Sequence, residues 1–98
     1  VSVYRFEWDP GKAKRNLSKH KVSFELAATV LRDPYAITIY DDDHSTTEDR
    51  WVTMGIAATG ILLVVSHTFE SAAADDIAIR IITARRATKA ERKAYGGT

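Results

Sequence analysis

The sequence predicts an α+β domain: an antiparallel sheet with two N-terminal helices packed on one face and a short C-terminal helix. Three observations lead there. Helix signals gather early, between Asp9 and Leu31. From Ala36 onward the chain is built of short β-branched or alternating runs. One hairpin signal, Thr59-Gly60, joins two of those runs. Strands clustered after helices favour an antiparallel sheet covered on one face, with the other face free to carry a site. At 98 residues the chain suits one domain, 1–98, with one modest core.

Each element has a local reason. Val3, Arg5 and Glu7 alternate with Tyr4, Phe6 and Trp8, the period of a strand. Asp9-Pro10 then opens a helix: aspartate accepts hydrogen bonds as an N-cap, and proline suits the first helical position. That helix runs to about His20, with Ala13 and Leu17 inward and Lys12, Arg15 and Lys19 on a wet face. Ser23 caps a second helix, in which Phe24, Ala27, Ala28 and Leu31 keep helical spacing. Pro34 stops it. Ala36 to Tyr40 is β-branched and aromatic and reads as a strand. Asp41 to Asp49 is an acidic loop. Trp51 to Ala57 and Ile61 to Phe69 are strands, and Ser71 to Asp76 is a second turn region. Ile77, Ile79 and Ile81 alternate with Ala78, Arg80 and Ile82 in a last strand. Thr88-x-x-Glu91 is a capping box opening a helix to Tyr95, and Gly96-Gly97 ends it.

Composition narrows the function classes. The chain has no cysteine, which excludes disulfides and thiolate chemistry and suits a reducing cytosol. Its longest apolar run, Ile61 to Val65, is far short of the roughly 20 residues of a membrane helix. Val1 to Trp8 lacks the form of a signal peptide, so a cytoplasmic protein is expected. Net charge is only +1, but it is unevenly spread. Lys12, Lys14, Arg15, Lys19 and Lys21 form one basic block. Arg80, Arg85, Arg86, Lys89, Arg92 and Lys93 form another. Two such blocks, meeting in space, make a phosphate-binding surface; standing apart, they are ordinary solvated faces. Asp41, Asp42, Asp43 and His44 invite a metal reading. The EF-hand spacing and any His-x-x-x-His or cysteine set are missing, so neither metal nor cofactor is expected.

Taken in order, the short motifs resemble one family. Phe6-Glu7-Trp8-Asp9, Lys12, Asn16, Lys19-His20, Val22, Phe24 and Ala27-Ala28 are similar to the opening of the BrnT toxins. Asp33-Pro34, Asp43-His44-Ser45, and Glu48 with Arg50 resemble its middle. Arg80-Ile81-Ile82-Thr83-Ala84-Arg85, Ala87-Thr88, Glu91-Arg92 and Tyr95 resemble its close. The resemblance implies a RelE-like fold and an endoribonuclease toxin of a bacterial type II toxin–antitoxin system that inhibits translation. It also implies a cognate BrnA-like, DNA-binding antitoxin, with operator DNA bound only through that antitoxin. Two toxins with two antitoxins is the expected assembly, and no membrane is involved.

If the chain cuts RNA without a metal, the 2′-OH attacks the neighbouring phosphorus. A base must take its proton, an acid must protonate the leaving oxygen, and fixed positive charge must meet the transition state. Arginine suits the last task, because its planar fork matches phosphate oxygens and stays charged. Arg80 leads the catalytic candidates: its side chain points to the face opposite Ile79 and Ile81, either to phosphate or to a salt bridge with Glu48 or Glu7. Arg85, Lys12, His20, Glu48 and His67 complete that set, with the base left open among the last four and Lys19. His67 shares a strand face with Leu63 and Val65, so a buried structural role competes. Lys19, Arg50, Lys89, Arg92 and Tyr95 are the RNA-binding candidates; Tyr95 either stacks on a base or anchors the last helix. A non-catalytic module that binds an antitoxin and tunes repression is the alternative, and a small nucleic-acid-binding protein is a third reading, weakened by the lack of a helix-turn-helix, zinc finger or RNA-recognition aromatic motif.

Overall fold

The computed structural model describes residues 3–96. Val1 and Ser2 of the alternating start and Gly97 of the closing pair lie outside the described residues. In chain order come β1 (Val3–Glu7), α1 (Pro10–His20), α2 (Phe24–Thr29) and a 3-10 turn (Val30–Arg32). They are followed by β2 (Ile37–Tyr40), a second 3-10 turn (Asp42–His44), β3 (Trp51–Ile56), β4 (Leu62–His67), β5 (Glu70–Ala73), β6 (Asp76–Arg86) and α3 (Lys89–Gly96). No helix among the described residues is long and apolar enough to cross a membrane.

The helix ends form where the caps require. The Asp9 carboxylate accepts from the Lys12 N–H at 2.9 Å, and Pro10 follows as the first helical residue. Lys21 closes α1 in the left-handed region at φ 59°, its N–H donating to the Leu17 carbonyl. The Ser23 hydroxyl accepts from the Leu26 N–H at 3.1 Å. At α3 the capping box is reciprocal: Thr88 N–H to Glu91 Oε1 at 2.8 Å, Glu91 N–H to Thr88 Oγ1 at 3.2 Å.

The sheet runs β1-β6-β4-β3-β2, and β5 also pairs with β6. All pairings are antiparallel except one: β1 lies parallel to β6, Val3 beside Asp76 through Glu7 beside Arg80. Antiparallel pairing was expected throughout, but the return through both helices brings β1 in along the far edge of β6. The expected turn at Ser71–Asp76 is mostly strand β5, held by β6 and ending in a tight turn.

Register assigns the two faces. Phe6, Thr53, Leu63, Val65, Ile79, Ile81 and Ala84 point to α1 and α2 and join Val22, Phe24, Ala27 and Val30 in the core. Each large side chain buried there stabilises by about 1.5–3 kcal/mol. The ring of Trp8 meets that of Phe24 edge-on at 6.0 Å. On α1 the inward residues are Ala13 and Asn16; Leu17, expected inward, is 50% exposed. The opposite face is only partly free. There α3 covers a smaller cluster of Leu62, Val64 and Ala87, with Val52, Met54 and Tyr95 against it.

One close approach requires a glycine. A Cβ on Gly55 would lie 2.9 Å from Val30 Cγ1, 3.1 Å from Ala36 Cβ and 3.2 Å from Asp33 Oδ2. Asp33 sits tight against β3, accepting from the Ile56 N–H at 2.8 Å and the Tyr35 N–H at 2.9 Å.

Candidate functional site

The open face of β6 carries a cluster of charged side chains. Arg80 stands mid-strand, its N–H and C=O both tied to Thr68. Its guanidinium reaches across the face to the carboxylate of Glu48. That carboxylate comes from the loop between β2 and β3, whose shape follows from local hydrogen bonds. The Asp41 N–H donates to the Arg50 carbonyl at 2.9 Å, closing the loop. Inside it the Ser45 hydroxyl donates to the Asp41 carbonyl and accepts the Arg50 N–H at 3.0 Å. His44 Nδ1 lies 2.9 Å from the Asp41 carboxylate. The loop so folded holds Glu48 over Arg80.

Arg50 approaches the same oxygen, with Nη2 3.6 Å from Glu48 Oε1. One carboxylate oxygen thus sits between two guanidinium groups. The Glu48 side chain is 35% exposed and that of Arg80 40%, so their attraction is screened and contributes about 0–1 kcal/mol. Another anion entering the cluster would compete with the carboxylate for the same two guanidinium groups. Arg50 Nε is buried without a hydrogen-bond partner among the described residues. Such an orphaned donor costs about 1–3 kcal/mol and points to a site rather than to a scaffold optimised for stability.

Three cavities adjoin this cluster. One of about 300 Å³ is lined by Glu48, Asp49, Thr68, Phe69, Glu70 and Arg80. A second, about 230 Å³, is lined by Asp41, His44, Arg50, Ser66, Ile82 and Thr83. The third, about 370 Å³, lies between α1 and β6 and is lined by Lys12, Arg15, Asn16, Lys19, His20, Ile82 and Thr83. The Glu48–Arg50 contact joins the first two, and Ile82 and Thr83 are shared by the second and third.

The third cavity exists because β1 ends early. Past Glu7, the outer edge of β6 has no strand beside it. The Asn16 side chain fills the gap, donating to the Ala84 carbonyl at 2.8 Å and accepting the Ala84 N–H at 3.1 Å. It also donates to the Val22 carbonyl at 3.0 Å. Asn16 behaves as one residue of a missing strand and fixes α1 at the height of Ala84.

The other candidates lie apart. His67 is fully buried on the helix face, in a hydroxyl chain: Thr38 to Thr53 at 2.8 Å, then Thr53 to His67 Nε2 at 2.6 Å. The remaining nitrogen, Nδ1, is 3.3 Å from the Thr68 carbonyl, which assigns it the proton. Burial holds the His67 pKa below its ordinary value. The imidazole is enclosed on the face opposite Arg80. Arg85 is on the open face but engaged, bidentate to Glu91 at 2.8 and 3.0 Å. That contact raises the Arg85 pKa and lowers the Glu91 carboxyl to about 2. The pair fastens α3 to β6. Tyr95 anchors the other end of α3 through a hydrogen bond to Asp33, which pushes the phenol up to about 12. For Asp33, burial works upward, but the bonds from Ile56, Tyr95 and Tyr35 outweigh it and leave the carboxyl below its ordinary range. Lys89 and Arg92 are exposed on α3, with Arg92 donating to the Ala87 carbonyl at 3.1 Å.

Residue-type reasoning gave no role to Asn16, Thr83, Ser66 or Phe69. For Asn16 a signal was present: positions 12, 15, 16, 19 and 20 form one helical stripe, and an amide at its centre marks the line where helix meets sheet. Among the described residues no group of three or more His, Asp or Glu side chains is gathered to hold a metal ion.

Comparison with known proteins agrees with the architecture. The family model for the ribonuclease toxin BrnT of type II toxin–antitoxin systems matches residues 8–91. That match defines the class: a ribonuclease toxin of a type II toxin–antitoxin system, and hence one with a cognate antitoxin. Within it, the chain belongs to the BrnT family. The crystal structure of the Brucella abortus ribonuclease toxin BrnT is similar, with a TM-score of 0.62 at 21% identity over 89% of this chain and 100% of that one. At that identity the likeness is one of fold, and RelE-like describes it. No curated protein matches the chain.

Proposed function

We propose that this toxin cleaves RNA at the Arg80–Glu48–Arg50 cluster, without a metal, and so inhibits translation in the cytoplasm. The observation that carries the reading is the single Glu48 oxygen shared by two guanidinium groups on the open face. A phosphodiester resembles that carboxylate in charge and geometry. Entering between Arg80 and Arg50, it takes over the Arg80 hydrogen bond and the Arg50 ion-pair contact and frees Glu48. The released carboxylate then accepts the 2′-OH proton as that oxygen bonds to phosphorus; the P–O5′ bond breaks, leaving a 2′,3′-cyclic phosphate, and the departing 5′-oxygen takes a proton from water, while both arginines meet the charge that develops on the phosphoryl oxygens. Arg85, His67 and Tyr95 serve the scaffold. Lys12, Lys19 and His20 act on the strand rather than at the reacting phosphorus.

A BrnA-like antitoxin neutralises the toxin by covering this face. It brings the DNA-binding segment, so operator DNA is bound through it alone, in an assembly of two toxins and two antitoxins.

The test is growth after induced expression of the chain, beside Arg80→Ala and Glu48→Gln at matched soluble level. Arrest by the wild type and normal growth with either variant is expected. Equal arrest from all three moves the chemistry elsewhere. No arrest from any, and no RNA cleavage in vitro, would favour the non-catalytic antitoxin-binding and co-repressor module.

A further inference from the structure

We infer that the cleft between α1 and β6 carries the phosphate backbone of single-stranded RNA toward the Arg80 cluster. The inference rests on the ribonuclease reading for the direction of the strand, and on the cleft's own chemistry for its ligand.

Lys12, Arg15, Lys19 and His20 lie along one stripe of α1 and line a cavity of about 370 Å³ with no carboxylate in its wall. None of the four forms an ion pair among the described residues. A solvated helix face needs neither property. On such faces cations alternate with acids and are not gathered around a concavity. Here the two lysines and the arginine crowd along the α1 wall, and an anion in the cleft relieves their mutual repulsion.

Continuity decides which anion. Ile82 and Thr83 form the floor of this cleft and also line the cavity that holds Arg50. From there the Arg50–Glu48 contact leads to Arg80. A ligand with one negative charge at regular intervals can follow that line; a compact anion cannot. Lysines along a track bind phosphates as point charges and carry no base information. The cleft therefore supplies affinity and strand direction, and leaves base preference to the Arg80 end.

The test is binding of a short, fully 2′-O-methylated RNA, which lacks the attacking hydroxyl, measured by fluorescence anisotropy against salt. The proteins are wild type, Lys19→Ala, and Arg15→Ala with Lys19→Ala. Both positions are exposed, and thermal melts confirm the fold. Each lost phosphate contact makes the slope of log K against log salt shallower by about 0.7, so the double variant should lose about 1.4, equally for RNAs of different base sequence. An unchanged slope overturns the inference. So does a loss confined to one base sequence. A third contrary result is unaltered RNA binding with weakened capture of an acidic antitoxin segment, which would make the cleft a protein-binding site. Failure of the two readings is distinguishable. A protein that does not cut RNA yet shows the slope change refutes the nuclease and keeps the track. Arg80-dependent cleavage with an unmoved slope refutes the track alone.

Discussion

Asn16→Ala removes three buried hydrogen bonds at once, and its effect can be worked from the geometry. The Val22 carbonyl, the Ala84 carbonyl and the Ala84 N–H all lose their partner. A buried backbone group left unsatisfied costs about 1–3 kcal/mol. Water entering from the adjoining cleft recovers part of this, so the net loss should be about 3 kcal/mol. For a domain of this length, each kcal/mol corresponds to roughly 4–8 °C in melting temperature, so Tm should fall by about 15 °C. Asn16→Asp separates shape from hydrogen bonding. It keeps the acceptor for the Ala84 N–H but turns both carbonyls toward a carboxylate oxygen, so it should destabilise at least as much at neutral pH. Protonation restores one donor, so part of the loss should return in acid. Urea unfolding followed by circular dichroism reads all of this. If Asn16→Ala unfolds within about 0.5 kcal/mol of wild type, as ordinary surface substitutions do, the account of Asn16 as a surrogate strand is wrong.

Two further predictions concern stability. Gly55→Ala forces a methyl into contact with Val30, Ala36 and Asp33; overpacking of this kind costs about 1–3 kcal/mol, and unchanged urea midpoints would show that the turn simply moves aside. Acid should weaken the fold in two steps, checked by urea midpoints across pH. His67 is held below its ordinary value of 6.5, so the unfolded chain takes the proton first, and stability falls as pH drops below that value until the folded histidine also protonates. Glu91 is held at about 2 against an ordinary 4.5, so its contribution is full above 4.5 and is lost as pH falls toward 2. His67→Gln should abolish the first step and Glu91→Gln the second; a step that survives its own substitution has another source.

What was legible in the chain was local. Asp9-Pro10, Ser23 and Thr88-x-x-Glu91 cap helices through atoms three residues away, so a short window contains the whole cause. The alternation of β1 and the hairpin around Thr59-Gly60 are of the same kind. The strand β5 was hidden because Ser71-Ala72-Ala73 has little β preference, and its pairing with β6 supplies what the residues lack. The direction of β1 was hidden because periodicity gives a strand's faces, not its partner. Leu17 and Asn16 show the same limit: hydrophobicity favoured the leucine inward, but an open strand edge needs an amide more than an alkyl chain. At the site, Arg80 and its pairing with Glu48 were within reach, since a lone arginine in an apolar strand needs either water or a partner. The engagement of Arg85 by Glu91 was not, because Glu91 already had a sufficient local role as the capping residue.

The parallel pairing of β1 with β6 also bears on synthesis. Residues 3–7 leave the ribosome well before residues 76–80, their partner in the sheet, have emerged. Such distant pairing is slow to form, because the loop must close before contacts repay it. Arg80, the Thr83 floor and the Ala84 anchor for α1 all belong to that last strand. A chain interrupted before β6 therefore has neither the arginine nor the cleft. Its early helices lack the strand that α1 is tied to, and its basic stripe lines no cleft. Assembly of this surface therefore waits for β6, the strand on which both the cluster and the cleft are built.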